Sequence, residues 1–206
     1  MFSFDEQIEH LTHLAESYRV RLFRPILALL TRLHISPNLI SSSKIIIGLA
    51  GLYVIQSSPR LAFFIFLLTF PMDLLDGSLA RYQAKASDRG KFIDMLTDQM
   101  SYCLIVFSLI TVNFADQSLL AYSLFILPTL YLLVIIRRNE SKLTDWIIRP
   151  VARISYYKSV IYAFASLALF RWISISAFEI ILAIVNILIT VHFVCSYTAI
   201  FNQKHA

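Results

Sequence analysis

Residues 73–98 read DLLDGSLARYQAKASDRGKFIDMLTD and stand between two apolar runs, LAFFIFLLTF at 61–70 and YCLIVFSLIT at 102–111. Asp73, Asp76, Asp94 and Asp98 therefore lie at the ends of segments apolar enough for lipid. An ionised Asp within a membrane helix costs about 2.5 to 3.5 kcal/mol on insertion scales, so a group of them needs compensating cations. Helical spacing sorts them into pairs: Asp73 and Asp76 are three apart with Gly77 and Ala80 near the same face, while Gly90, Asp94 and Asp98 repeat every four. Each helix so presents a carboxylate pair on one face. Gly77 and Gly90 leave room beside those acids for a neighbouring helix or a ligand. Arg81 adds a planar cation suited to a phosphate.

Oxygen ligands with no His or Cys nearby favour a hard ion, magnesium or manganese, over zinc or copper. Carboxylates in two pairs suggest two ions. Two metals about 3.5 to 4 Å apart can clamp a pyrophosphate and stabilise an in-line displacement at phosphorus.

Outward from this stretch, the composition demands a bilayer. The chain is 58% apolar and 15% charged over 206 residues, too hydrophobic for a soluble domain of that length. The expected fold class is all-α, a polytopic integral membrane protein with six transmembrane helices, at roughly 37–56, 61–80, 91–114, 118–136, 151–170 and 172–201. These form one catalytic domain, 35–206, after an N-terminal segment, 1–34. Within that segment Leu22, Phe23, Ile26, Leu27, Leu30 and Leu33 recur at helical spacing while Arg21, Arg24 and Arg32 stay polar, which predicts an interfacial amphipathic helix over 21–34 with Pro25 near its start. No signal-peptide core precedes it, because Asp5, Glu6, His10 and His13 interrupt the apolar residues. Cys103 and Cys195 fall inside apolar segments and read as packing residues.

Charge orients the spans. With the N-terminus in the cytoplasm, 15 of the 18 Lys and Arg fall on that side; Arg60 and Arg171 fall opposite, and Lys44 lies just inside the first span. The acidic stretch then faces the cytoplasm. This topology accounts for the net charge of +5, and no soluble basic patch with interleaved aromatics points to nucleic acid.

The stretch resembles the CDP-alcohol phosphatidyltransferase family at every specified position of its motif: DxxDGxxAR, eight residues, G, three residues, D, three residues, D. Those positions are Asp73, Asp76, Gly77, Ala80, Arg81, Gly90, Asp94 and Asp98. The resemblance implies transfer of a phosphatidyl group from CDP-diacylglycerol to the hydroxyl of a small polar alcohol, with release of CMP and two Mg2+ or Mn2+ ions as cofactors. It implies metal ligation by Asp73, Asp76, Asp94 and Asp98, Asp98 as general base, and a CDP pocket lined by Asp73, Gly77, Ala80 and Arg81. The family's Pro-Asn element is similar to Pro37-Asn38, which adds Asn38 to that pocket. Members are commonly homodimers.

The acceptor stays open: inositol phosphate, inositol or glycerol 3-phosphate fit, and so do serine and aminoalcohols. A phosphorylated acceptor would draw on the basic group Arg137, Arg138, Lys142, Arg149, Arg153 and Lys158, with Arg153 and Lys158 the best candidates because they begin a span. Plain attraction to anionic headgroups explains the same group. Lys44, following Ser41, Ser42 and Ser43, either lines that cavity or snorkels to the interface. Residues 153–158 depart from the Gly-Lys-x-Lys-Thr pattern of phosphatidylglycerophosphate synthases, whereas Asp94-Met95-Leu96-Thr97-Asp98 looks similar to inositol-transferring members. Two other functions compete. One is a CDP-aminoalcohol:diacylglycerol phosphotransferase, which would use the same metal site. The other is an ion-coupled transporter, in which the carboxylates would form a proton or ion path; that reading calls for further charges deep in other spans, and the fourth and fifth interiors are almost wholly apolar. Asn186 and His192 in the sixth span are expected to be hydrogen-bonded packing residues.

Overall fold

The computed structural model describes residues 4–140 and 151–203. Lys142, Trp146, Arg149 and Lys204 lie outside the described residues. All described regular structure is helical: α1 (Phe4–Arg32), α2 (Pro37–Ile55), α3 (Pro59–Leu67), α4 (Thr69–Tyr82), α5 (Asp88–Thr111), α6 (Gln117–Glu140), α7 (Val151–Leu169) and α8 (Ile175–Gln203). Among the described residues, five stretches are long and apolar enough to cross a membrane: Pro37–Ile55, Pro59–Tyr82, Arg89–Thr111, Gln117–Val134 and Ile175–Thr198. The 19-residue α7 stands where the fifth of the six expected spans was drawn.

Apolar side chains point outward as well as inward. On α8, Ile180, Ile184, Ile187, Val191 and Val194 form an exposed stripe at alternating steps of four and three, and on α2 Ile46, Leu49 and Tyr53 do the same. A soluble protein would not leave such stripes in water; in lipid they cost nothing. Cys195 shares this exposure, so it is not a packing residue within the chain.

Two departures from the sequence reading have physical causes. The N-terminal helix is longer than 21–34 and begins at Phe4, with Pro25 in its interior rather than near its start. Ile8, Leu11, Ala15 and Tyr18 continue the helical spacing upstream, and no Gly or Pro interrupts them. The second expected span is divided into α3 and α4 at Leu68. Pro71 has no N–H for an i−4 carbonyl, and starting a new helix at Thr69 places it in the first turn, where that loss is harmless.

The chain divides into two compact units, and α2, α3 and α5 each contribute to both. The first comprises Met1–Ala50 and Phe64–Ser101. Here α1 lies on α4: Leu27, Ile40 and Leu79 are buried, with Val20, Phe23, Leu30, Ile35, Met72 and Leu75 packed around them. The second comprises Gly51–Phe63 and Tyr102–Ala206, built on the packing of α8 against α6 and α7. Its interior is pinned by polar contacts. The Tyr102 hydroxyl meets Ser123 Oγ at 2.5 Å, and on the exposed side Tyr122 meets Thr190 at 2.7 Å. Asn186 Nδ2 donates to the Leu119 carbonyl at 3.0 Å, the hydrogen-bonded packing expected of it, and His192 lies edge-on to Tyr157 with centroids 6.2 Å apart.

Helices α1, α4, α5 and α7 end alike. Each is followed by a left-handed residue, His34, Ala84, Asn113 or Arg171, and the next N–H bonds back five residues (Ile35 to Leu30, Lys85 to Ala80, Phe114 to Leu109, Trp172 to Leu167). This is the Schellman closure that glycine usually supplies, made here by non-glycine residues.

Candidate metal centre

Three helices of the first unit build the centre. From α4, Asp73, Asp76, Gly77, Ala80 and Arg81 follow one another at steps of three, one, three and one, which keeps them on one face. From α5, Gly90, Asp94 and Asp98 recur every four residues. From α2, Asn38, Ser41 and Lys44 recur every three.

Carboxylate oxygens of Asp73, Asp76 and Asp94 lie within 4.8 Å of one another. Asp98, one turn along α5 from Asp94, joins them through Lys44. The Lys44 ammonium is almost wholly buried and reaches all four acids: 2.5 Å to Asp73, 2.9 Å to Asp76, 2.7 Å to Asp94 and 2.9 Å to Asp98. It does not snorkel, because four carboxylates bind it more strongly than the headgroup region would.

Asp76 is the most deeply placed acid, 3% exposed against 44% for Asp73 and 43% for Asp94. One oxygen accepts the Gly77 N–H at 2.6 Å, and the other accepts the Ser41 hydroxyl at 2.8 Å. A buried carboxylate needs such donors, and these hold its oxygens in fixed directions. The donor set is all carboxylate oxygen, converging and partly open to the outside. It fits a hard divalent ion such as magnesium or manganese.

A cleft of about 120 Å³ adjoins the acids and is lined by Pro37, Asn38, Ser41, Asp76, Gly77, Ala80, Arg81, Lys85, Ala86, Ser87, Gly90, Lys91 and Asp94. It is acidic at the centre and basic toward Arg81, Lys85 and Lys91. Ser87 caps α5, its hydroxyl accepting the Gly90 N–H at 3.1 Å, so the positive end of that helix dipole faces the cleft. The two glycines matter in different ways. A Cβ on Gly90 would stand 3.3 Å from Ser87 Oγ and 3.6 Å from Asn38 Oδ1, whereas one on Gly77 would meet the Arg81 guanidinium at an ordinary 3.6 Å.

The centre thus gathers Asp73, Asp76, Asp94, Asp98, Gly77, Ala80, Arg81, Asn38 and Lys44 in one unit. Arg153 and Lys158, expected beside the acceptor, lie in α7 in the second unit, with Lys158 half-buried. Ser41 as the partner of Asp76, and Lys85, Ser87 and Lys91 as cleft lining, went unassigned in the sequence reading. Ser87 was legible: a serine directly before the Asp88 that opens a helix leading into an apolar run is an N-cap signal.

Comparisons with known proteins bear on the family and the fold. A protein 30% identical over 107 residues is an uncharacterized protein of Aquifex aeolicus (strain VF5); the match spans 52% of this chain and 54% of that relative, about half its length. Among solved structures, the manganese and citrate complex of Mycobacterium tuberculosis phosphatidylinositol phosphate synthase (PgsA1) superposes with a TM-score of 0.67, at 14% identity over 84% of this chain and 87% of that one. The apo form of the same protein gives a TM-score of 0.63, at 19% identity over 84% of this chain and 94% of that one. At these identities the likeness speaks for the fold. The family model described as CDP-alcohol phosphatidyltransferase matches residues 34–194, a range that contains the acids, the cleft and all the expected spans but the last residues of the sixth, and the chain belongs to that family.

Proposed function

We propose that this protein transfers a phosphatidyl group from CDP-diacylglycerol to the hydroxyl of a small polar acceptor, releasing CMP, at the cytoplasmic face of the membrane in phospholipid biosynthesis. The observation that carries this reading is the convergence of four aspartates from two helices on the Lys44 ammonium, beside a cleft that Arg81, Lys85 and Lys91 also line.

Asp73, Asp76 and Asp94 would hold a divalent ion, with Asp98 completing a second site. When bound, such ions neutralise charge on a diphosphate and on a departing phosphate. The remaining work falls to the chain. Gly77 and Ala80 keep the α4 face low enough for a diphosphate to lie against it, and Arg81, Lys85, Lys91 and the α5 N-terminus supply positive charge along its path. Asn38 and Ser87 offer polar groups at the same rim. Asp98 takes the proton from the acceptor hydroxyl, whose oxygen attacks the lipid-side phosphorus, and the bond to the CMP oxygen breaks in line.

The acceptor belongs to the inositol phosphate, inositol or glycerol 3-phosphate class. Arg153 and Lys158 are its proposed anchors, on the chemistry of a phosphorylated alcohol and two basic residues at the start of a span. The similar PgsA1 structures are of a phosphatidylinositol phosphate synthase, which supports putting inositol phosphate first among the acceptors to try. A homodimer spanning the bilayer six times per copy is part of the same reading.

The test is CMP release by the purified protein with CDP-diacylglycerol and Mn2+ or Mg2+, against inositol phosphate, inositol, glycerol 3-phosphate and serine. Release that needs both a metal and one acceptor supports the proposal. Release only from a CDP-aminoalcohol with diacylglycerol would replace it with the reverse assembly. Silence with every pair, together with no CDP-lipid binding, would sink it.

A further inference from the structure

One side chain in the centre is not required by phosphatidyl transfer as described above: Lys44. Its ammonium is only 1% exposed and lies 2.5 to 2.9 Å from all four aspartates, while Asp73 and Asp94 remain over two-fifths exposed. The ammonium is therefore on the inner side of the carboxylates, and their outer lobes stay open to the surroundings. Lys44 rises from the same face of α2 as Ser41, which fixes Asp76, so both the cation and the deepest acid are positioned by one helix.

Two physical facts constrain what this cation can do. A single ammonium offers three donors and one charge, so against four carboxylates it leaves three net negative charges if all are ionised. The centre still attracts a divalent ion. Yet a divalent ion held by these carboxylates would share them with the ammonium, and two cations drawn to the same acids repel where water is scarce.

We propose that Lys44 is a tethered counter-ion: it holds the acidic centre together without metal and yields its carboxylates as the centre loads, so that this side chain sets the metal affinity. The proposal rests on the metal-dependent reading given above and goes beyond it, because that reading needs only the aspartates. Lys44 is here a positioning residue, acting through the acids and not on substrate.

The test uses the full chain purified in detergent, with Mn2+ as the probe and free Mn2+ followed by electron paramagnetic resonance. Lys44→Met, similar in length and uncharged, is expected to bind Mn2+ roughly tenfold or more tighter than wild type. Its metal-free form melts lower than wild type and its Mn2+-saturated form melts close to it, a pairing that a merely structural lysine would not produce. Asp94→Asn serves as the control with weakened binding. Equal or weaker Mn2+ affinity in Lys44→Met, with Asp94→Asn weakened, overturns the role of Lys44 and leaves the metal reading standing. No Mn2+ binding by wild type or any variant overturns both. If Lys44→Met does not fold, wild type decides alone: reductive methylation followed by peptide mass analysis should find Lys44 protected in chelator and modified in saturating Mn2+. Unchanged protection overturns the exchange.

Discussion

The Ser41 hydroxyl donates to Asp76 Oδ2 at 2.8 Å, tying α2 to α4 at the one aspartate of the centre that is buried. Ser41→Ala removes a donor from a buried carboxylate, a loss worth about 1 to 3 kcal/mol. The expected outcome is a lower melting temperature and a metal requirement shifted several-fold higher, read by thermal unfolding and by CMP release against Mn2+ concentration. Ser41→Thr keeps the hydroxyl and should restore most of both. If Ser41→Ala titrates with metal as wild type does, the hydrogen bond does not orient Asp76 for the ion.

Asp98 differs from Asp76 in exposure, at 18% against 3%, and meets the Lys44 ammonium at 2.9 Å. Its exchange for Asn should therefore spare the fold and strike the proton transfer. Asp98→Asn is expected to lower turnover by about 10³-fold, within the range of general-base removal, while CDP-diacylglycerol affinity stays within a few-fold. Turnover near that of wild type would remove the general-base role.

Gly90→Ala and Gly77→Ala separate fold from function. At Gly90 the added methyl meets the Ser87 hydroxyl at 3.3 Å, and disturbing that cap costs about 1 kcal/mol. Ala gains about the same over Gly inside a helix, so stability should barely move. At Gly77 the methyl has ordinary room beside Arg81, and stability should rise. Both methyls project into the cleft lining, and KM for CDP-diacylglycerol is expected to climb at least several-fold in each. An unchanged KM in both variants would place the diphosphate elsewhere.

Ala84 closes α4 at φ 52°, a left-handed conformation that costs an alanine about 1 kcal/mol or more and a glycine almost nothing. Ala84→Gly should raise the melting temperature. A decrease would mean that the added freedom of the unfolded chain outweighs the relieved strain.

How much of this was legible before the structure follows from what kind of signal each residue leaves. The acids, the glycines and Arg81 were readable because an ionised group in an apolar segment has few explanations and their spacing matches one helix face. The helical class and most of the spans followed from the length of the apolar runs. Lys44 was read as a cavity or interface residue because one lysine at a span end is common, and only the convergence of α2, α4 and α5 shows it among four acids. Ser41 was hidden for a similar reason: a serine in a helix usually bonds its own backbone, as Ser43 does to Ile40 at 2.6 Å. The division at Leu68 was in plain sight as Pro71, but an apolar run of the right length masked it. The relation of Arg153 and Lys158 to an acceptor depends on tertiary placement, which spacing along α7 does not encode.

That division bears on how the protein enters its membrane. Alone, the nine residues of α3, Arg60 among them, reach about 14 Å, roughly half of a hydrocarbon core, so α3 crosses the membrane only together with α4, as the stretch Pro59–Tyr82. The other half, α4, brings Asp73, Asp76 and Arg81 and is a poor substrate for insertion by itself. Partitioning of this divided span into lipid then draws on α2, whose Lys44 neutralises part of the acidic load as the helices meet. The same contact that shapes the centre makes biogenesis of the second span a cooperative event between neighbouring helices.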